Sequence, residues 1–229
     1  MVVGSNQPYF LPYLAYWQLI NHVDVYVISD SMQYIKKGYI NRNNILIEGK
    51  AHRFSLEVLG VNSKSSISEV RVGNNRKKLL KSFFHSYKKA PYFEEVYPLI
   101  ESIVLNEEEN LGKYVGNAIE KVAAFLGIST QFIYLSTLQG ETTLKTEKRT
   151  IDICKRVEAK QFINAIGGVE LYSRENFLAE NIELKFLKMD RVSYKQFNNE
   201  FVPCLSIIDI MMFNSKSQIE ILLKKFTLV

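Results

Sequence analysis

The apolar positions of the chain fall into two rhythms that alternate. Short runs of β-branched and aromatic residues, such as MVVGS at the start and VYVI near residue 25, suit buried strands. Longer stretches repeat their apolar residues every three to four positions, the spacing of one helix face. The first of these, residues 13–21, carries Leu14, Trp17 and Ile20. It follows QPYFLP, whose Pro8 and Pro12 fix φ and hold the residues before them extended. Strand, loop, helix and a second strand (23–28) thus open the chain. Residues 110–126 give the clearest helical stripe, ended by Gly127. Beyond it the pattern predicts strand 131–135, helix 147–158, strand 161–165, a turn at Gly167-Gly168, helix 170–179 and strand 182–187. Alternation of this kind calls for an α/β fold, a mainly parallel sheet with helices on both faces. Residues 45–47 and 54–59, joined at Gly49, read as a small antiparallel β excursion, and 61–68 as a loop. Helical additions are expected at 74–89, 94–104, 204–213 and 216–226. Without repeats, low-complexity tracts or long linkers, the chain reads as a single domain over 1–229.

Composition narrows the classes. With 229 residues, 47% of them apolar and 23% charged, the chain can bury a full core and has the make-up of an ordinary globular domain. It has no apolar run of membrane-spanning length and no basic-then-apolar leader, so the expected location is the cytoplasm. Cys154 and Cys204 both lie among apolar residues and read as reduced, buried thiols. Three His and two Cys at no ligand spacing give no metal site to expect. A net charge of +5 favours anionic partners: nucleotide sugars, tRNA or an anionic bilayer surface. Much of it sits at 74–89, in Arg76, Lys77, Lys78, Lys81 and Lys88. That segment reads as the solvated face of an amphipathic helix or as a docking surface for acidic nucleic acid or lipid.

Candidate chemistry gathers where strands end, because ligands of parallel sheets lie beyond the carboxyl ends of their strands. Asp30 follows the strand DVYVIS in a polar loop with Gln33. A carboxylate there can orient a sugar hydroxyl, hold a metal through water or take a proton; it can also simply cap a turn. Gln7 and Tyr9, on a rigid loop before a helix start, suit sugar hydroxyls or an acyl oxygen. Lys36, Arg42 and Asn43 combine two cations with an amide, a set that fits a diphosphate, against the plainer reading of solvated charge. Asp209, enclosed by SII and IMMF, has to be paired, hydrogen-bonded or protonated. A core salt bridge to Arg42 or Lys36, a cap supported by Ser206, and a general base of raised pKa all satisfy that requirement. Tyr172, after Gly167-Gly168, can stack on a base or sugar or pack in the core.

The same pieces resemble the WbqC-like protein family. They are QPYFLPY at 7–13, DVYVISD followed by Gln33-Tyr34, NRN at 41–43, YKKAPYF at 87–93, IGGVELY at 166–172 and CLSIIDIMMFN at 204–214. They span nearly the whole chain in the family's order. One departure is Ser215-Lys216-Ser217, where the family tends to have a Gly-containing turn. The resemblance implies bacterial O-antigen and lipopolysaccharide synthesis, and a transferase that attaches an aminoacyl group such as glycine to the amine of a nucleotide-linked amino sugar. Asp30 and Asp209 are its expected catalytic residues. Gln7, Tyr9, Gln33, Lys36, Arg42, Asn43, Tyr92, Tyr172 and Ser206 are its expected substrate contacts. No tightly bound cofactor is expected. A free glycine carboxylate is a poor electrophile, so the donor has to be activated, as an adenylate made from ATP or as a charged tRNA. The expected partners are therefore the amino-sugar nucleotide, tRNA and a weak anionic membrane contact, with no DNA. The rival expectation is a noncatalytic nucleotide-sugar-binding or scaffold protein of the same pathway. The opening strand, loop and helix also compare with adenylate-forming nucleotidyl transferases, although their His-x-Gly-His signature is absent.

Overall fold

The computed structural model describes residues 1–138, 144, 146–198 and 200–229. The chain runs through β1 (Val2–Asn6), α1 (Leu14–His22) and β2 (Val25–Ile28), then leaves the main sheet. The excursion is a hairpin, β3 (Arg42–Ile47) and β4 (Lys50–Ser55), followed by a short ladder, β5 (Val58–Leu59) with β6 (Arg71–Val72). Helices α2 (Arg76–Tyr87), α3 (Phe93–Val104) and α4 (Leu111–Leu126) lead back to β7 (Gln131–Tyr134). Then come α5 (Thr146–Arg156), β8 (Gln161–Ala165), α6 (Arg174–Ala179), β9 (Glu183–Met189), α7 (Ile207–Phe213), α8 (Lys216–Leu223) and β10 (Phe226–Leu228).

The main sheet is ordered β10-β9-β8-β1-β2-β7, all parallel except β10, which pairs antiparallel with β9. This is the expected mainly parallel α/β sheet. Its two faces bury separate apolar clusters. Leu19 and Ile20 of α1 and Val115 and Ile119 of α4 pack with Tyr26 and Ile28 on one face. Ile153 and Cys154 of α5 and Phe177 of α6 pack with Val3, Val25 and Val27 on the other. Among the described residues no helix is long and apolar enough to cross a membrane.

Several boundaries differ from the sequence pattern for local reasons. β4 begins at Lys50, not at 54, because Glu48 (φ 50°) and Gly49 (φ 74°) make a two-residue turn with both φ positive. Its first residues, Lys-Ala-His-Arg, are exposed and carry no apolar signal. The expected helix 170–179 is a 3-10 segment to Leu171 and then α6, capped by the Ser173 hydroxyl. The last helix stops at Leu223, and 226–228 extends the sheet instead. α7 starts only at Ile207, since Ser206 caps it and Cys204 stands at φ 57°. Cys204 is exposed, which corrects the expectation of two buried thiols; only Cys154 is buried, and burial pushes its thiol up to about 12.

The proline-framed loop is pinned by residues distant in sequence. Leu11 adopts φ 51°, a left-handed conformation that costs a residue with a side chain. Its carbonyl accepts from Asn43 Nδ2 (2.8 Å) and Ser206 Oγ (2.7 Å), both buried. Next to it, the Pro12 carbonyl accepts from Ile207 N (2.9 Å) and Trp17 Nε1 (3.1 Å), and Phe10 N donates to Ile40 O. The loop thus joins the sheet, the hairpin and α7.

Asp209 on α7 is fully buried, and among the described residues it forms no salt bridge. Its carboxylate accepts from Tyr87 Oη (3.0 Å), Tyr194 Oη (2.7 Å) and Gln196 Nε2 (2.6 Å), so the expected pairing with Arg42 or Lys36 is replaced by neutral donors. Tyr87 Oη in turn accepts from Leu46 N of β3. Burial raises the Asp209 pKa, and the three donors pull against that rise.

Two outcomes follow from this packing. Because Asn43 and Ser206 donate to one carbonyl, Asn43→Ala and Ser206→Ala each lose about 1–2 kcal/mol in urea unfolding. The double variant loses more than their sum, since only then does the Leu11 carbonyl lack both donors; strict additivity contradicts the clamp. For Asp209, a folded pKa above the ordinary 3.8 means that the folded state holds the proton more tightly. Stability relative to Asp209→Asn therefore falls as pH rises from 3.8 through the raised value, by at most about 1.4 kcal/mol per pH unit, and is flat outside that window. Urea midpoints across pH check this, and a difference that rises with pH reverses the sign of the shift.

Candidate functional site at the carboxyl edge of the sheet

In chain order the parallel strands stand 3-2-1-4-5 across the sheet, the doubly wound order. β1 exits toward α1 on one face, whereas β8 exits toward α6 on the other. The order reverses between these two strands, and such a reversal opens a crevice beyond their carboxyl ends.

On the β1 side the crevice starts at Asn6 and Gln7. Gln7 Nε2 donates to Gln33 O (3.4 Å), and Gln33 Nε2 donates to Ser63 O (2.7 Å), so both amides brace loops at this edge. Tyr9 is half-buried, its ring 5.6 Å from that of Tyr16 and 6.5 Å from that of exposed Tyr39. Burial first, and Tyr39 second, raise its phenol pKa, so it stays a neutral hydroxyl. On the β8 side, Asn164 is buried and accepts from Ala165 N through Oδ1. Gly168 stands against it: a Cβ there would lie 3.1 Å from Asn164 Nδ2 and 3.3 Å from the Tyr172 ring. Tyr172 itself packs edge-on against Phe162 and Phe177.

Beside the crevice, the ends of β2 and β7 frame a cavity of about 440 Å³. Ser5 Oγ of β1 lies 2.8 Å from Ser29 Oγ, which links the two regions. Asp30 is 2% exposed at the cavity wall. Its Oδ1 accepts from Ser136 N (2.9 Å) and its Oδ2 from Ser136 Oγ (2.6 Å). Ser136 is exposed and stands just past β7. Opposite, Tyr134 Oη donates to Glu120 Oε1 (2.8 Å) and Asn106 Nδ2 donates to Asn117 Oδ1 (2.9 Å). Glu108, Lys113 and Thr137 complete a lining of amides, hydroxyls, carboxylates and one ammonium. Such a wall can hold a polyhydroxylated ligand carrying an amine, since every polar group of the ligand finds a partner of either polarity.

The structure brings Asp30, Gln7, Gln33 and Tyr9 to this edge. Lys36 is exposed on the same loop, and Arg42 is half-buried at the start of β3, its Nε without a hydrogen-bond partner among the described residues. Asn43 and Ser206 use their polar atoms in the Leu11 clamp. Tyr92 lies half-buried at the start of α3, its N–H donating to Met212 O of α7. Asp209 shares no partner with Asp30 and does not line its cavity. Sequence reasoning missed Ser136, Tyr134, Glu120 and Asn164. Asn164 had a readable signal, a polar residue closing the apolar strand QFIN before Gly-Gly. The others had none, because their place depends on β7 lying next to β2.

Comparison with known proteins agrees with the extent of this architecture. The chain is 24% identical over 215 residues to the uncharacterized protein Rv1507c of Mycobacterium tuberculosis, an alignment covering 92% of this chain and 91% of that protein. No solved structure matches. The model of one family, described as the WbqC-like protein family, matches residues 7–221. The chain belongs to the WbqC-like protein family.

Proposed function

We propose that this protein is a transferase of bacterial surface-polysaccharide synthesis that attaches an aminoacyl group, glycine in the leading form, to the amine of a nucleotide-linked amino sugar. The observation that carries this reading is the polar cavity walled by Asp30 and Ser136, lying next to the crevice of a doubly wound sheet. The crevice is where such sheets take nucleotides, and the cavity has the lining of a sugar site. In this reading Arg42 and Lys36 hold phosphate, while Gln7 and Tyr9 orient the acceptor.

The chemistry is acyl transfer. The sugar amine attacks the acyl carbonyl carbon, a C–N bond forms, and the C–O bond to the activating group breaks with its electron pair. One amine proton has to leave. Asp30 is too covered to meet the amine directly, but the exposed Ser136 hydroxyl bridges the gap. Ser136 Oγ takes the proton as it passes its own to Asp30 Oδ2, and the second hydrogen bond, from Ser136 N, fixes the carboxylate. Asp209, closed off by its three donors, serves the fold.

The experiment mixes purified protein, an amino-sugar nucleotide, glycine, and ATP or charged tRNA, with the glycyl mass increment as readout. Asp30→Asn is expected to lower kcat about 100-fold or more, with Ser136→Ala intermediate and folding intact by circular dichroism. A set of cognate sugars yielding no glycyl product, or full turnover in Asp30→Asn, overturns the proposal. Tight sugar-nucleotide binding without turnover would support the rival reading as a noncatalytic carrier.

A further inference from the structure

Helix α4 passes the carboxyl ends of β2 and β7 closely enough to need glycine at two points. Gly112 and Gly116, one helical turn apart, are both buried. Glycine inside a helix is unfavourable relative to alanine, so each calls for a steric reason. A Cβ at Gly112 would lie 3.1 Å from Asp30 Cβ and 3.3 Å from Asn110 Oδ1. A Cβ at Gly116 would collide with Tyr134 Oη and stand 2.5 Å from Tyr134 Cε1 and 2.7 Å from Cζ. Any larger residue at Gly116 would push the Tyr134 ring aside.

The ring passes over Gly116 to reach the next turn of α4, where Tyr134 Oη donates to Glu120 Oε1 (2.8 Å). Burial first, then the Glu120 carboxylate and then Asp30, raise the Tyr134 phenol pKa, so the hydroxyl keeps the proton it gives to Glu120. Glu120 is half-buried and lines the same 440 Å³ cavity as Asp30 and Ser136.

That bond uses one oxygen of Glu120 and leaves the other open. Among the described residues, Tyr134 is the one hydrogen-bond partner of the Glu120 side chain, and no Lys, Arg or His nitrogen lies within 4.0 Å of it. Lys113, on the same wall, forms no ion pair among the described residues. The other two acids of the wall are engaged differently. Both Asp30 oxygens accept from Ser136, and Glu108 Oε1 accepts from Asn110 N (2.8 Å). A carboxylate oriented by one donor and open on its second oxygen accepts best from a cation, through a charge-assisted hydrogen bond.

We infer that Glu120, oriented by Tyr134, binds the α-ammonium of the aminoacyl donor, so that the cavity takes an aminoacyl group and rejects a plain acyl group. The inference rests on the transferase reading, which brings two amines to this cavity. The acceptor amine has to be neutral to attack, and its proton passes to Ser136. The α-amine of the donor takes no part in bond making and is protonated at neutral pH, so it is the cation that a fixed carboxylate can hold throughout the reaction. Glu120 is then a binding residue, and Tyr134 a positioning residue that acts through it.

The test titrates glycinamide and acetamide, which differ by the ammonium alone, into the full chain at pH 7 and follows amide NMR shifts. Glycinamide is expected to bind about 10-fold more tightly, with Gly116 and Glu120 among the shifted amides. Glu120→Gln keeps an acceptor for Tyr134 and is expected to erase that preference. Tyr134→Phe is expected to reduce it about threefold, with thermal melts of both variants close to the parent's. Equal binding of the two amides, no glycinamide binding up to about 50 mM, or an undiminished preference in Glu120→Gln overturns the inference. Methyl glucosaminide and methyl glucoside form a second pair: a preference for the amine that disappears in Glu120→Gln assigns this carboxylate to the acceptor and overturns the choice of donor. In the transfer assay, Glu120→Gln is expected to raise KM for the glycyl donor about 10-fold with kcat within about threefold of the parent, a split that general destabilisation does not give. Selectivity for glycinamide with no glycyl product sustains the ammonium site and overturns the transferase reading alone.

Discussion

The Leu11 carbonyl is the point on which three distant parts of the chain converge. A left-handed leucine is a strained residue, and strain persists only where the surroundings over-determine it. Here the determinants are Asn43 at the hairpin and Ser206 ahead of α7, each giving its single best donor to the same oxygen. The backbone bonds of Phe10 and Pro12 then fix the loop on either side. What results is a rigid exit from β1, the central strand of the sheet, at the place where the strand order reverses. Gln7 and Tyr9 owe their position to this clamp. So does α7, whose first turn is anchored by the same contacts.

The two buried acids differ in where their hydrogen-bond donors lie. Asp209 meets three donors on two tyrosines and a glutamine, with no ion pair among the described residues, and it ties α7 to α2 and to the segment around Tyr194. Asp30 is nearly as covered, yet one of its donors is an exposed hydroxyl at a cavity wall. That hydroxyl belongs to a residue lining the cavity, whereas Asp209's donors Tyr87 and Gln196 are buried and Tyr194 is half-buried. Both carboxylates are hydrogen-bonded throughout, as buried charge requires. The difference lies in where the donors lead.

The distribution of positive charge follows a similar division. Lys155 and Arg156 of α5, Lys185 of β9 and Lys216 of α8 close ion pairs, and exposed pairs of that kind contribute little. Among the described residues the cations of α2 and β4 close no ion pair, although Arg76 donates to Glu108 O and lies over the Tyr114 ring.

How much of this was legible in the sequence depends on the range of the interaction involved. Periodicity and the placement of Pro and Gly determined the α/β class, the helical stripe of α4, the opening strand, loop and helix, and the nearness of Asp30 to a strand end. These are local matters of side-chain spacing and φ preference. Solvated edges escaped detection: Lys50–Arg53 of β4 has no apolar signal, and β10 is a strand only because β9 offers it an edge. The antiparallel pairing of β10, the donors of Asp209, the exposure of Cys204 and the seating of Ser136 against Asp30 were decided by tertiary structure alone. Each depends on which segments, 13 to 122 residues apart in the acids' case, the tertiary fold brings into contact. Spacing along a chain carries no record of such neighbours.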